Sequence, residues 1–262
     1  MKADIFWYLM IFIIVVFFAA IISYVLVNRF FATDDYGLVW TFSHIIEFLI
    51  IVPLFISKRY VRFTGKIKLH NSEFLIMSTI AILLILSISL SVGGVVNLLL
   101  ISDTEHEKNV SAMSNHLFST ILICTTVPIL EEIVFRGAVL RRMLESKAIR
   151  PSVAILLSSF IFGLSHLNLA QTVSGTAVGI FLGWIFYYTR NLYITIVVHS
   201  AYNMVISVGK YFSENTDETI LQTTQWLWIL AICLIVSSLL FILLRKKMLG
   251  IQDRSTILNS TL

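Results

Sequence analysis

Residues 128–137 read Pro128-Ile129-Leu130-Glu131-Glu132-Ile133-Val134-Phe135-Arg136-Gly137, with two carboxylates and a guanidinium in an otherwise apolar run. The run lies within an apolar segment of about 116–143. Roughly 20 apolar residues suffice to cross about 30 Å of hydrocarbon. Inside a bilayer each such charge costs about 2.5–3.5 kcal/mol on insertion scales, so these groups are functional candidates by default. Residues four apart are neighbours on a helix, so Glu132 is expected to pair with Arg136 as a structural unit. Glu131 points about 100° away around the helix and is expected to be the carboxylate free for chemistry.

The rest of the chain fits a membrane setting. Of its 262 residues 58% are hydrophobic and 13% charged, and the mean hydropathy is +0.90. Soluble domains are nearer half apolar and a quarter charged. Eight apolar segments stand out, at about 5–27, 37–57, 73–101, 116–143, 151–169, 172–189, 192–209 and 224–244. They predict an all-α integral membrane protein of about eight transmembrane helices, forming a single polytopic domain over 1–262. The first apolar run is longer than the roughly 7–15 residues of a signal-peptide core and reads as a retained span. Basic residues alternate with this map. Fifteen fall on the side of Lys2, the loops 58–72 and 141–150, Arg190 and the tail, against Arg29, Lys108 and Lys210 on the other. The positive-inside rule then places both termini in the cytoplasm. The net charge of +4 is spent on loops between spans, so no nucleic-acid partner is expected. The bilayer itself and a membrane-associated peptide or protein are. Cys124 and Cys233 lie in apolar segments and read as buried free thiols.

Two more polar sets lie in this apolar background. The fifth segment carries Phe162-Gly163-Leu164-Ser165-His166, and the seventh His199-Ser200-Ala201-Tyr202-Asn203. Phe162 and His166 are one turn apart, as are His199 and Asn203. With Glu131 they supply a carboxylate, two imidazoles and an amide from three helices. Such a set can act in either of two ways. Glu131, His166 and His199 can hold zinc or another divalent metal, since a catalytic zinc takes three N or O ligands and a water, whose pKa falls to about 7. Alternatively Glu131 is a general base on water, while His199 and Asn203 donate hydrogen bonds to an oxyanion.

The three motifs Glu131-Glu132-x-x-x-Arg136, Phe162-x-x-x-His166 and His199-x-x-x-Asn203, in that order on separate segments, resemble those of the CAAX protease and bacteriocin-processing intramembrane proteases. That family includes the type II CAAX prenyl endopeptidases. The resemblance covers roughly residues 116–209, the expected catalytic core, and the eight-span layout is similar to the family's. It implies that Glu131 and His166 activate water and that His199 and Asn203 make oxyanion or metal contacts. Glu132, Arg136 and Phe162 then give support. The implied activity is endoproteolysis of membrane-associated substrates, in peptide precursor processing or bacteriocin self-immunity. The short loops favour a multi-pass protein of a prokaryotic plasma membrane.

Other readings use the residues less well. Neither intramembrane histidine begins an HExxH motif, and no aspartate lies in a span, which disfavours zincins and aspartyl intramembrane proteases. A rhomboid-like serine protease using Ser165 and His199 leaves Glu131, Glu132 and Arg136 without a task. A proton-coupled transporter would use buried Glu and His, but no matching pair of interrupted spans is evident. A non-catalytic immunity protein remains the alternative, and it would tolerate Glu131→Gln.

The glycine row Gly175, Gly179, Gly183 predicts a close helix–helix seam. His44 and Glu47, three apart in the second segment, either pair or line a substrate path, with pairing expected. His116 is expected at a span boundary, and His70 and His106 in loops. One geometric problem stands. Counted from the same membrane face, His166 lies deeper than His199 by about 10 Å at 1.5 Å per residue, so they meet only if a span starts late or tilts.

Overall fold

The computed structural model describes residues 2–31, 35–63, 70–98, 117–146, 148–214 and 223–260. Every regular element among them is helical. Three helices precede the charged run: α1 (Lys2–Phe31), α2 (Tyr36–Ser57) and α3 (Asn71–Leu98). The run itself lies in α4, a continuous helix in three pieces: α-helical Leu117–Glu131, π-helical Glu132–Leu140 and α-helical Arg141–Glu145. Four more follow: α5 (Pro151–Leu164), α6 (Leu169–Thr189), α7 (Leu192–Glu214) and α8 (Thr223–Ser260). Each of the eight apolar segments thus overlaps a helix. His116 and His106 lie outside the described residues, and His70 is exposed just before α3.

Among the described residues, four helices are long and apolar enough to cross a membrane, over Asp4–Phe31, Tyr36–Ser57, Asn71–Val92 and Leu169–Thr189. The protein is an all-α, multi-pass membrane protein. The expected fifth span, 151–169, is helical only over Pro151–Leu164. Fourteen residues give about 21 Å, short of the hydrocarbon thickness. At its start Pro151 occupies the first turn, where its missing N–H costs nothing. At its end Leu167 turns left-handed (φ 55°), a conformation a β-carbon disfavours. The chain reverses there, and the Asn168 side chain accepts the Gln171 N–H to cap α6. His166 therefore sits in the turn, not in a span.

Two apolar cores hold the bundle. One gathers Ile51 and Phe55 of α2, Ile133, Val134 and Phe135 of α4, and Phe162 of α5. The other joins α3, α6, α7 and α8 through Leu84, Leu182, Val198 and Leu244. The α5–α6 hairpin closes along the glycine row. A β-carbon on Gly179 would stand 2.9 Å from Ser159 Cβ, and one on Gly183 would stand 3.2 Å from Ile155 Cγ2. His44 Nδ1 and Glu47 Oε2 pair at 3.1 Å. Both cysteines are buried free thiols.

The π-helical stretch is buried over all nine residues. Short π segments inside α-helices gather at functional sites, and this one begins directly after Glu131. Gly137 within it admits two neighbours. A β-carbon there would stand 2.8 Å from Val61 Cγ1 and 3.3 Å from Leu192 Cδ2. The start of α7 is thereby drawn up to the level of Gly137, well before α4 ends. Its first N–H, on Leu192, donates to the Phe63 carbonyl at 2.8 Å. The segment after α2 thus fills the space beneath α7, and Phe63 stacks on Tyr193.

Candidate active site

The late start of α7 removes the depth problem. From Leu192 to His199 is seven residues, about 10 Å of helix, and Gly137 lies six residues past Glu131. His199 therefore stands level with Glu131. His166 arrives from the other side. Its ring folds back one turn, with Nδ1–H donating to the Phe162 carbonyl at 3.1 Å. Both imidazoles meet one carboxylate. His166 Nε2 is 4.0 Å from Glu131 Oε1, and His199 Nε2 is 3.7 Å from Glu131 Oε2.

Glu132 faces the other edge of the same His199 ring. Its Oε1 accepts Nδ1–H of His199 at 3.0 Å and Nη1–H of Arg136 at 2.7 Å. Arg136 Nη2 donates onward to the Gly179 carbonyl at 3.2 Å. Glu132 and Arg136 are fully buried, and His199 nearly so, whereas the side chains of Glu131 and His166 keep 15% and 25% of their exposure. The buried chain His199–Glu132–Arg136–Gly179 therefore fixes α7, α4 and α6 relative to one another. Glu131 and His166 border open space.

Phe162 sits at the centre of this arrangement. The Arg136 guanidinium lies 4.6 Å above its ring, a cation–π geometry. Edge-on contacts reach His166 at 5.1 Å and His199 at 6.0 Å between centroids. Asn203 is half-buried one turn beyond His199 on the same helix. The hydroxyls of Tyr202 and Ser89 lie 2.9 Å apart, tying α7 to α3.

Sequence reasoning assigned Glu132 only to Arg136. Its second partner, His199, is 67 residues away, and no local spacing signals it. The Gly179 carbonyl was likewise missed, since the glycine row reads only as a seam. A row that brings a carbonyl within reach of an expected buried arginine is the one hint the sequence held.

Both Nδ1 atoms donate to oxygen acceptors, so a neutral ring of either histidine presents a bare Nε2 to Glu131. Direct hydrogen bonds need about 2.7–3.2 Å, and these separations are longer. A water beside Glu131 finds acceptors on all three groups. A metal fits less well. Among the described residues no three His, Cys, Asp or Glu side chains are grouped to hold an ion. With zinc bonds of about 2.0–2.1 Å, tetrahedral ligands stand about 3.4 Å apart. Glu131 is farther than this from both histidines, so the expected ligands Glu131, His166 and His199 do not converge as a metal shell.

No curated protein and no solved structure matches the chain. One family model does match, over residues 113–205, and that stretch contains all three motifs. Its description is type II CAAX prenyl endopeptidase Rce1-like, which supports the resemblance of the three motifs to the CAAX protease and bacteriocin-processing family over these residues.

Proposed function

We propose that the protein is an intramembrane endopeptidase that hydrolyses peptide bonds of membrane-associated peptides or proteins. The observation that carries this reading is the pair of imidazole Nε2 atoms facing the two oxygens of Glu131 within 4.0 Å. Glu131 acts as general base on a water held between its carboxylate and His166 Nε2. The water oxygen bonds to the scissile carbonyl carbon as its proton passes to Glu131. The resulting oxyanion is met by the Asn203 amide and by His199. His199 donates through Nε2 when protonated on both nitrogens, a charge matched by Glu132 and, in turn, by Arg136. Glu131 then returns the proton to the leaving nitrogen as the carbon–nitrogen bond breaks. A positioned base contributes about 10²–10⁴-fold, and an oxyanion donor about 10²–10³-fold.

The same reading takes the eight helices as embedded in the membrane, α5 reaching only part of the way across, with both termini in the cytoplasm of a prokaryotic cell. Its substrates are bacterial leader, pheromone or bacteriocin precursors rather than prenylated carboxyl termini. A second reading has Glu131, His166 and His199 close in from their 4.0 and 3.7 Å separations to hold a divalent ion, which would lower the pKa of a bound water. It is favoured by the grip of Glu132 on His199 Nδ1, since a carboxylate behind a histidine is the usual outer partner of a metal ligand.

The test is cleavage of membrane-embedded peptides by full-length protein in proteoliposomes, read by mass spectrometry and run beside Glu131→Gln. Products from the wild type and none from the variant are expected. A protective phenotype that persists undiminished in Glu131→Gln, with no cleavage by either protein, would replace the enzyme with an immunity protein that acts by binding.

A further inference from the structure

The His44–Glu47 pair has no part in the chemistry above. His44 lies on the stripe Gly37, Thr41, His44, Phe48, Ile51, Phe55, spaced as the packed face of a helix. Thr41, Ile51 and Phe55 on that stripe are buried, but the His44 side chain keeps 21% of its exposure. The stripe packs on α4, so the accessible part of His44 lies at the edge of that contact. Glu47 Oε2 holds its Nδ1 at 3.1 Å, and Ser43 holds the other Glu47 oxygen at 2.9 Å. The ring is thus fixed, and Nε2 is left for another partner. Polar groups away from water need one.

Two contacts fix the distance to Glu131. Thr41 and Ser119 touch through their hydroxyls at 2.7 Å, and further along the same two segments Val61 stands against Gly137, 2.8 Å from where its β-carbon would be. Helices α2 and α4 therefore run parallel and in step. His44 is three residues past Thr41 and Glu131 twelve past Ser119, an axial offset of about 13 Å. A polar file spans that interval. Helix α7 carries His199, Asn203 and Ser207 at successive turns. His199 meets Glu132 at one end, and Ser207 Oγ lies 3.6 Å from Cys124 Sγ at the other. Cys124 is within a turn of the level of His44.

We propose that an extended substrate segment lies along the His199–Asn203–Ser207 file and that His44 Nε2 binds its main chain about four residues from the scissile bond. Taken at about 3.3 Å per residue, four residues cover the offset. A peptide drawn out of helical form for cleavage exposes amide groups that lipid cannot satisfy, and a pinned imidazole supplies one partner. This rests on the protease reading.

The test uses full-length protein in nanodiscs and Leu/Ala peptides with a central Gly-Ser break, lengthened one residue at a time on either side. With wild type, KM should fall roughly five- to tenfold when about the fourth residue on one side is added. His44→Ala should abolish that step, leave the shorter peptides and kcat unchanged, and be partly rescued by His44→Gln. An undiminished step in His44→Ala overturns the proposal. So does equal damage to all lengths, which marks a structural role. If the wild type cleaves none of these peptides, the protease reading fails for them. Their Kd on Glu131→Gln, read by fluorescence anisotropy, then decides the binding site alone: a step that depends on His44 keeps it, and no step ends it.

Discussion

Glu132 Oε1 lies 3.0 Å from His199 Nδ1, and the neighbouring carboxylate, Glu131 Oε2, lies 3.7 Å from Nε2 of the same ring. Two adjacent residues of one helix bracket a histidine from another. The buried carboxylate orients the ring and matches its charge, while the accessible one faces the reacting space. Glu132→Gln retains shape but removes that charge. It should lower kcat on the order of 10²-fold through misplacement of His199, with KM little changed. Unaltered kcat in proteoliposomes would show that Glu132 serves Arg136 alone.

Arg136 and Glu132 are fully buried, and each is the other's main counter-charge. Truncation of one strands the other, at a cost of about 3–5 kcal/mol. Arg136→Met should therefore lower Tm in detergent strongly. The double variant with Glu132→Gln should be less unstable than the two single losses combined, because the members of a coupled pair do not add. Strict additivity in the thermal melts would refute the coupling.

Asn203 is assigned to the oxyanion. Asn203→Ala should reduce kcat by about 10²–10³-fold and leave peptide binding to the protein intact. A rise in KM at constant kcat would make it a substrate-holding residue instead.

The α5–α6 seam positions His166 and offers the Gly179 carbonyl to Arg136. At Gly179 even the first carbon of a side chain lies 2.9 Å from Ser159 Cβ, so Gly179→Val must part the hairpin, at a cost of about 1–3 kcal/mol. Activity should fall with the melting temperature. Gly250→Ala, where the added β-carbon would meet nothing within 4 Å, is the control and should be neutral or stabilising by about 0.5–1 kcal/mol.

Because Glu131, His166 and His199 do not close to ligand spacing, purified protein should carry no stoichiometric metal and keep its activity after chelation. Elemental analysis of wild type beside His166→Ala decides this. One equivalent of zinc in the wild type, lost in the variant together with activity, would establish the metal-assisted reading.

The sequence by itself determined that the chain is a helical membrane protein, which residues carry charge into the apolar region, and that Glu132 and Arg136 can pair. Those are local properties, since apolar length sets span potential and i,i+4 spacing sets neighbours. Only the tertiary structure decided that His166 and His199 reach the same carboxylate. Straight, equal spans leave them about 10 Å apart in depth. The meeting depends on a short α5, a turn at Leu167 that folds His166 back to Phe162, and an α7 that starts against Gly137 beneath the Phe63 carbonyl. Each of these rests on contacts between residues distant in the chain or on backbone geometry at one position, and hydrophobic periodicity records neither.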